Sequence, residues 1–594
     1  MNTLSVNGKS WKLKKYSEDD VSYLKENFFL DDITSRLLSI RKIKKEDINS
    51  FLNPSIKNFL PNPNTLIDMV KSTKRTISAI DKKEKFGIFG DYDVDGATST
   101  ALLGNYFSKL NLSYEIYIPD RKKEGYGPSI KGFKELIDKG VKIIFTVDCG
   151  TLSFDAINFA KQNKVDVIVL DHHQSEINLP EAFSVVNPNR LDDKSNLEYL
   201  CAAGVTFMFL VSMNRQLRLI SWFIKNNINE PNLINYLDLV SLGTVCDVVP
   251  LIGLNRAIVK QGLKILKTKR NLGLKTLLDI CKIENNPSIY HLGFMLGPRI
   301  NAGGRVGKCS HGANLLLDKD PKNAFKLASE LDQFNKERQM LEKDLLQKIL
   351  NETRDYLNDP VIVLSGTNWH EGIIGIVAAR LKDKFNKPVV IISIEGQIGK
   401  ASARSIAGFD IGSAIISATQ EKILLKGGGH KMAGGFSINI QNIKKFKDFI
   451  FRKFRNINED LTSDKPLYFD SIISSTAVNI DFYNKVNVLA PFGSGNPEPK
   501  FVIENLKNIN GKIVGEKHVK SVLIGQDGSS IKTIAFNAVE NDLGAYLLKR
   551  NNKSFNIAGK LSLNEWKGQS NVEFIIDDIS VNKTLKNTVP SSIG

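Results

Sequence analysis

Asp91, Asp93 and Asp95 alternate along the stretch GDYDVDGATST, directly after an apolar run. Further acidic positions follow apolar runs in the same way: Asp148 in FTVDCGT, Asp171 with His172 and His173 in VIVLDHHQ, and Asp247 in LGTVCDVVPL. A lone aspartate after a strand commonly caps a helix or sets a turn. Several carboxylates brought within a few ångströms instead repel one another and retain protons unless cations neutralise them. Carboxylates select hard divalent cations, and added imidazole shifts the choice toward a transition ion. Mn²⁺ therefore fits the mixture best, with Mg²⁺ as the alternative. So many ligands exceed the needs of one ion and suit two divalent cations about 4 Å apart, bridged by a carboxylate. Such a pair lowers the pKa of water and stabilises the oxygens of an in-line displacement on phosphorus. Cys149 and Cys246 each adjoin one of these aspartates. On a strand they would project to the opposite side, so thiolate ligation is not expected.

These residues need elements that bring them together. The runs KFGIFG, YEIYIPD, VKIIFTVD and VDVIVLD alternate with helical stretches such as TSTALLGNYFSKL, which predicts a parallel, doubly wound sheet. The carboxyl ends of such strands share one edge, where ligands bind, so the acidic stretches can converge there. Further on, Asp320 is placed to cap a long helix with Pro321 at its first position and Leu327, Leu331, Phe334, Leu341 and Leu345 at helical spacing. The runs PVIVLSG, IIGIVAARLKDKF and PVVIIS then restart a β-α-β pattern, and after about residue 460 short strands follow one another with tight turns, as in an OB-like β-barrel. The predicted fold class is α/β, with two α/β domains joined by a long helix plus a C-terminal OB-like barrel. Its expected segments are an N-terminal helical segment 1–60, a catalytic α/β domain 61–318, a connecting helix 319–357, a second α/β domain 358–455 and the barrel 456–585. Among the barrel aromatics, Phe469, Phe501, Phe536 and Trp566 read as core.

The chain of 594 residues carries 81 Lys plus Arg against 64 Asp plus Glu, a net charge of +17, which favours a polyanionic partner. Five scattered cysteines without a C-x-x-C pair point to a reducing compartment. The first residues lack the apolar core of a signal peptide, and no run approaches the length of a membrane span. A cytoplasmic protein without membrane attachment is expected.

In order, GDYDVDGATS, TVDCGT, LDHHQ and GTVCDVVPL resemble the four motifs of the DHH phosphoesterase superfamily. IPDRKKEGYGPS, LCAAGVTF, GPRINAGGRVG, WHEGIIGIVAARL, GKASARSIAGFDI, KGGGHKMAGGF and PFGSGNPEPKF extend the likeness. Across about residues 30–580 the chain resembles the RecJ family of single-strand-specific DNA exonucleases. The resemblance names the two α/β domains as a DHH and a DHHA1 domain. It implies that Asp93, Asp95, Asp148, His172 and Asp247 hold the metals, with Asp148 as the bridge, and that His173 touches the scissile phosphate. Asp91 counts with the metal residues, either as a ligand or as a residue orienting its neighbours, so Asp91→Asn is expected to be milder than Asp93→Asn or Asp95→Asn. Asp171 reads as a structural acid fixing an imidazole or a turn.

Arg121, Ser402 and Arg404 are implied to hold a 5′-terminal phosphate, and the glycines around His430 leave backbone amides open to an anion. Tyr126, Arg299, Asn301, Arg305, Gly428, Gly429 and His430 complete the candidate substrate set, with an internal ion pair as the competing role for Arg299 and Arg305. His370 reads equally as a substrate contact or a satisfied histidine, and His311 and His518 as structural or surface residues.

The implied activity is removal of nucleotides from the 5′ end of single-stranded DNA, in repair and recombination, by a monomer. The long helix is expected to hold the α/β domains apart, leaving a groove for one strand. A single-strand-binding protein and a RecQ-type helicase are the implied protein partners. Two other readings stay open: a phosphodiesterase of short oligonucleotides or cyclic dinucleotides, or an inorganic pyrophosphatase, and a non-catalytic replication scaffold. The C-terminal strands favour a polymer substrate, and the filled ligand positions speak against the scaffold.

Overall fold

A computed structural model describes residues 5–121, 123–284, 286–352, 358–455, 466–549, 553–566 and 569–581. In it the four runs read as strands form a parallel sheet with one more strand, in the order Tyr114–Tyr117, Lys85–Gly90, Val141–Val147, Asp166–Leu170, Ser184–Val186. Chain direction across the sheet reverses between Lys85–Gly90 and Val141–Val147, which are neighbours. The crevice of a doubly wound sheet opens at this switch point, beyond the carboxyl ends of those two strands. Both faces are covered, so Phe86, Ile88, Ile143, Ile144 and Phe145 are fully buried and the strands read as continuous apolar runs.

The long helix runs from Pro321 to Glu352, with the Asp320 carboxylate accepting from the amides of Lys322 and Asn323. The rest of its predicted segment, 353–357, lies outside the described residues, as do 456–465 and 582–585 of the barrel segment. The second α/β domain departs from a simple β-α-β continuation. Only Ile362–Thr367 and Val389–Glu395 pair in parallel; Ile398–Arg404, Ala433–Asn439 and Lys426–His430 follow antiparallel. The turn after Glu395 is too short for a crossover helix, and Gly396 takes φ +60° there.

Contacts divide the chain into two units, one of Leu60–Val249 and Ala257–Thr462, the other of Met1–Phe59, Pro250–Arg256 and Ser463–Gly594. In the latter, Phe501–Val514, His518–Ile524, Ser530–Ala535, Gln569–Ser580 and Phe555–Trp566 close on themselves as a five-stranded barrel. Leu24, Leu37 and Leu38 of the N-terminal helices join its core beside Phe501, Leu506 and Ile557, and Trp11–Leu13 pairs in parallel with Leu467–Phe469. Arg256 is 1% exposed there, and its guanidinium donates to the carbonyls of Phe51, Leu489, Ala490 and Pro491. Phe469 and Phe501 are core as expected, whereas Phe536 is 51% exposed with its ring edge-on to His518. The Trp566 side chain lies outside the described residues. No helix among the described residues is long and apolar enough to cross a membrane.

Candidate metal centre and arginine cluster

The switch point gathers the acidic stretches. Asp91 follows the strand Lys85–Gly90, and two residues on, Asp93 caps the helix Val94–Lys109 by accepting from the Gly96 amide at 3.0 Å. Gly96 is required at this exit, because a Cβ there would lie 2.5 Å from the Asp91 carbonyl oxygen. Asp95 is buried in the first turn of that helix and accepts from the amides of Ala202 and Ala203, at 2.6 and 2.9 Å. Those amides open the helix Ala202–Leu219, whose positive end stabilises a carboxylate.

Asp148 follows the strand Val141–Val147 with φ +60°, a left-handed conformation unusual for a residue with a side chain. The sheet neighbour fixes it there, the Leu170 carbonyl accepting from its amide at 3.1 Å. Asp247 departs from the strand-end picture: it caps the carboxyl end of the helix Leu237–Cys246, so Cys246 lies on a helix rather than a strand. A short run rich in Val, Leu and Cys fits a buried helix as well as a strand. Val248, next along, has φ +60° despite its β-branch, a second strained residue beside the cluster.

The Nε2 atom of His172 lies 3.3 Å from an Asp148 oxygen, 3.7 Å from Asp247 and 3.8 Å from Asp95. Potential ligand atoms group within 4.8 Å of one another as Asp91, Asp93, Asp148; as Asp95, His172, Asp247; and as Asp148, His172, His173. Burial, then the charges of Asp93, Asp95, Asp91 and Asp247, push the Asp148 carboxyl well above the usual range. Burial and Asp93 raise Asp91 similarly, and burial with Asp95 and Asp93 takes Asp247 up to about 8. Burial lowers the His172 imidazole toward its neutral form, the state in which histidine ligates. One Asp91 oxygen is buried with no hydrogen-bond partner. A cluster this acidic, with an orphaned oxygen and a neutral imidazole, fits divalent cations.

Asp171 is the organiser anticipated for it. Its carboxylate accepts from the amides of His172, His173 and Thr151, the Thr151 hydroxyl and His173 Nδ1. Burial alone would raise its pKa, but the adjacent His173 imidazolium and these bonds hold it well below the usual range. Burial pulls His173 down, while the Asp171 charge and hydrogen bond outweigh it and bring the imidazole up to about 9. The Tyr126 hydroxyl donates to the Asp148 carbonyl at 2.9 Å and lies 3.2 Å from the His173 ring nitrogens.

Two residues missed in the sequence complete this loop: Asn187 donates to the His173 carbonyl and Thr151 hydroxyl, and Asn189 to the His172 carbonyl. Their signal is the NPN turn directly after the strand Ser184–Val186.

Beside this centre lies a cluster of arginines. The Arg121 guanidinium stands 5.4 Å from the centroid of Tyr92, the residue between Asp91 and Asp93. Gly304 packs on Tyr92 so closely that a Cβ would lie 2.8 Å from the ring. Arg305, next along, donates to the Gly372 carbonyl in the first turn of the helix Glu371–Phe385. The first and second α/β domains therefore touch at this point. His370 caps that helix, its Nδ1 accepting from the Gly372 amide at 3.1 Å. Arg305 is lowered to about 10 by burial and by the charges of Arg121, Arg338 and Arg404; Arg404 is lowered by burial and Arg121. Guanidinium groups gathered near a helix N-terminus suit an anion.

Arg404 donates to Ser402 at 3.2 Å. Cross-strand register puts Gly428 and Gly435 in line with Ser402, and His430 and Ala433 in line with Arg404, on one face of the sheet. The glycine-rich stretch is thus a hairpin rather than an amide-lined turn. Gly429 belongs to the other face, packed against Gly412. Arg299 stands apart, ion-paired with Asp332 at 2.9 Å and donating to the Met295 carbonyl. Asn301 lies half-buried on the same helix, Gly297–Val306. His311 pairs with Glu330, and His518 accepts from the Asn537 amide.

The chain matches the DHH family, N-terminal domain over residues 85–244, the DHHA1 domain over 358–456 and the RecJ OB domain over 469–578. It is 30% identical to the single-stranded-DNA-specific exonuclease RecJ of Bacillus subtilis over 96% of this chain and 71% of that one. Identity to the RecJ of Haemophilus influenzae is 33%, over 89% and 93% of the two chains. The crystal structure of RecJ from Thermus thermophilus in complex with Mn²⁺ superposes with a TM-score of 0.79 at 26% identity, covering 97% of this chain and 80% of that one.

Proposed function

The chain belongs to the RecJ family of DHH phosphoesterases, and from that membership we propose a single-stranded-DNA-specific exonuclease that cuts from the 5′ end. The observation that carries this reading is the contact, through Tyr92, between the buried acidic centre and the arginine cluster. Arg121, Arg305 and Arg404 with Ser402 grip the terminal phosphate as guanidinium forks and a hydroxyl donor. The end of the strand is thereby fixed beside the carboxylates, and cutting proceeds from that end.

The groups Asp91, Asp93, Asp148 and Asp95, His172, Asp247 would hold the divalent cations, Mn²⁺ in preference to Mg²⁺. When bound, these ions supply the positive charge that lowers the pKa of water and neutralises phosphoryl oxygens. His173, kept protonated at neutral pH by Asp171, donates to an oxygen of the scissile phosphate as charge builds there. Tyr126 pins the Asp148 carbonyl and so keeps that carboxylate in its left-handed setting. The barrel matched as a RecJ OB domain extends the reading to long strands, since such barrels bind single strands along a basic groove.

The direct test follows label release from single strands carrying ³²P at either end, with Mn²⁺ or with EDTA. The reading predicts 5′-labelled mononucleotide from the first turnover, 3′ label retained until late, and no release in EDTA. Early release from the 3′ end, or internal fragments, would overturn it.

A further inference from the structure

The stretch SIYHLGFMLGPR carries two aromatic residues that the centre does not use. Tyr290 and Phe294 are 61% and 70% exposed, yet their rings are parallel to within 24° with centroids 5.3 Å apart. Exposed stacked rings add nothing to a core and present a flat apolar face to solvent. The backbone beneath is equally unusual: His291–Leu296 is wound as a π-helix, a form found mostly as short insertions at functional sites.

The segment is held firmly from below. Leu292 and Leu296 are fully buried, and the Leu292 carbonyl accepts from the Cys246 thiol at 3.5 Å. A Cβ on Gly293 would touch Val245 at 3.5 Å, and Ser288 donates its amide to His291 Nδ1 at 2.9 Å. Val245 and Cys246 immediately precede Asp247, so the aromatic pair stands on the segment that backs a residue of the acidic centre. A strand with a phosphate at that centre must place its bases elsewhere, since carboxylates offer them no apolar surface. A rigid, exposed pair of π-faces on the adjoining segment supplies one, and it accepts any base because every base has a π-face.

We propose that Tyr290 and Phe294 form a platform on which a nucleobase of the bound single strand stacks. The inference rests on the proposed function and adds the contact that holds the strand without reading its sequence. Its test is binding of a fluorescein-labelled 20-residue oligothymidylate to the full chain in EDTA, over a series of salt concentrations. Replacing both rings, Tyr290→Ala with Phe294→Ala, is expected to raise Kd at least about fivefold, the loss of one stacked base. The slope of log Kd against log salt should not change, because no phosphate contact is removed. Phe294→Trp, which keeps a π-face, should bind within about twofold of the unaltered protein. An unchanged Kd in the double variant, a slope shallower by about one, or a Phe294→Trp defect as large as the alanine defect would overturn the platform. Mn²⁺-dependent hydrolysis by the unaltered protein is measured separately. Its absence with the Kd pattern intact would refute the proposed function and leave the platform standing; no binding at all would refute both.

Discussion

His173 Nδ1 lies 2.8 Å from a carboxylate oxygen of Asp171, and that one carboxylate also collects the amides of His172, His173 and Thr151. Asp171 therefore helps to set the position of both histidines. Asp171→Asn keeps the shape but removes the charge and turns one acceptor into a donor. Activity should fall about 10- to 100-fold, and Mn²⁺ affinity by a similar factor. Isothermal titration with Mn²⁺ beside steady-state hydrolysis checks this, and unchanged affinity would show that the DHH loop holds its geometry without the acid.

Asp91 was read either as a metal ligand or as a residue orienting its neighbours, and its surroundings favour the ligand role. It groups with Asp93 and Asp148 and has a buried oxygen without a partner, whereas Asp95 already accepts two helix amides. Asp91→Asn should therefore cost as much activity as Asp93→Asn, about 100-fold or more, rather than being the mild change among the three. Parallel kcat measurements at saturating Mn²⁺ decide it; an Asp91→Asn variant within tenfold of the unaltered protein would return Asp91 to an orienting role.

Arg404 is lowered by burial and by the charge of Arg121, and it is proposed to grip the terminal phosphate. Arg404→Ala should raise KM about tenfold or more for 5′-phosphorylated strands, one charge-assisted contact being worth roughly 1.5–3 kcal/mol. KM for 5′-hydroxyl strands should barely change. Equal effects on the two substrates would place Arg404 elsewhere than on the terminal phosphate.

Asp238 offers a pH test remote from the chemistry. The residue is 2% exposed, and burial raises its carboxyl to about 7. The folded chain thus holds this proton over a range in which the unfolded chain, with a carboxyl near 3.9, has lost it. The stability it lends is complete below about pH 3.9 and is lost as pH rises through about 7. Asp238→Asn is neutral throughout, so its stabilisation relative to the unaltered protein should grow from pH 5 to pH 8.5, on the order of 1–3 kcal/mol. Thermal unfolding at the two pH values checks the sign; a pH-independent difference would contradict it.

The sequence shows the parallel strands because they are buried on both faces and so read as apolar runs, and their carboxyl ends name Asp91, Asp148 and His172. It shows the barrel through alternating short strands. Asp247 was legible as a residue but not as a helix cap, because a ten-residue run buried almost throughout carries no period that separates helix from strand. The pairing of Trp11–Leu13 with Leu467–Phe469 joins segments far apart along the chain, with no local pattern to announce it. The same holds for Arg299, whose partner Asp332 makes it an internal ion pair. The glycines near His430 read as a loop because glycine is depleted from strands, yet here they form a hairpin whose open face continues that of Ser402 and Arg404.

If the acidic centre acts as proposed, it hydrolyses single strands and spares duplexes. The measurement is mononucleotide release in Mn²⁺ from a 5′-phosphorylated single strand and from the same sequence as a blunt duplex, by the unaltered protein and by Asp148→Ala. Rapid release is expected from the single strand, little from the duplex, and loss of both in Asp148→Ala with the fold retained. Equal degradation of strand and duplex, or hydrolysis that survives Asp148→Ala, would contradict it.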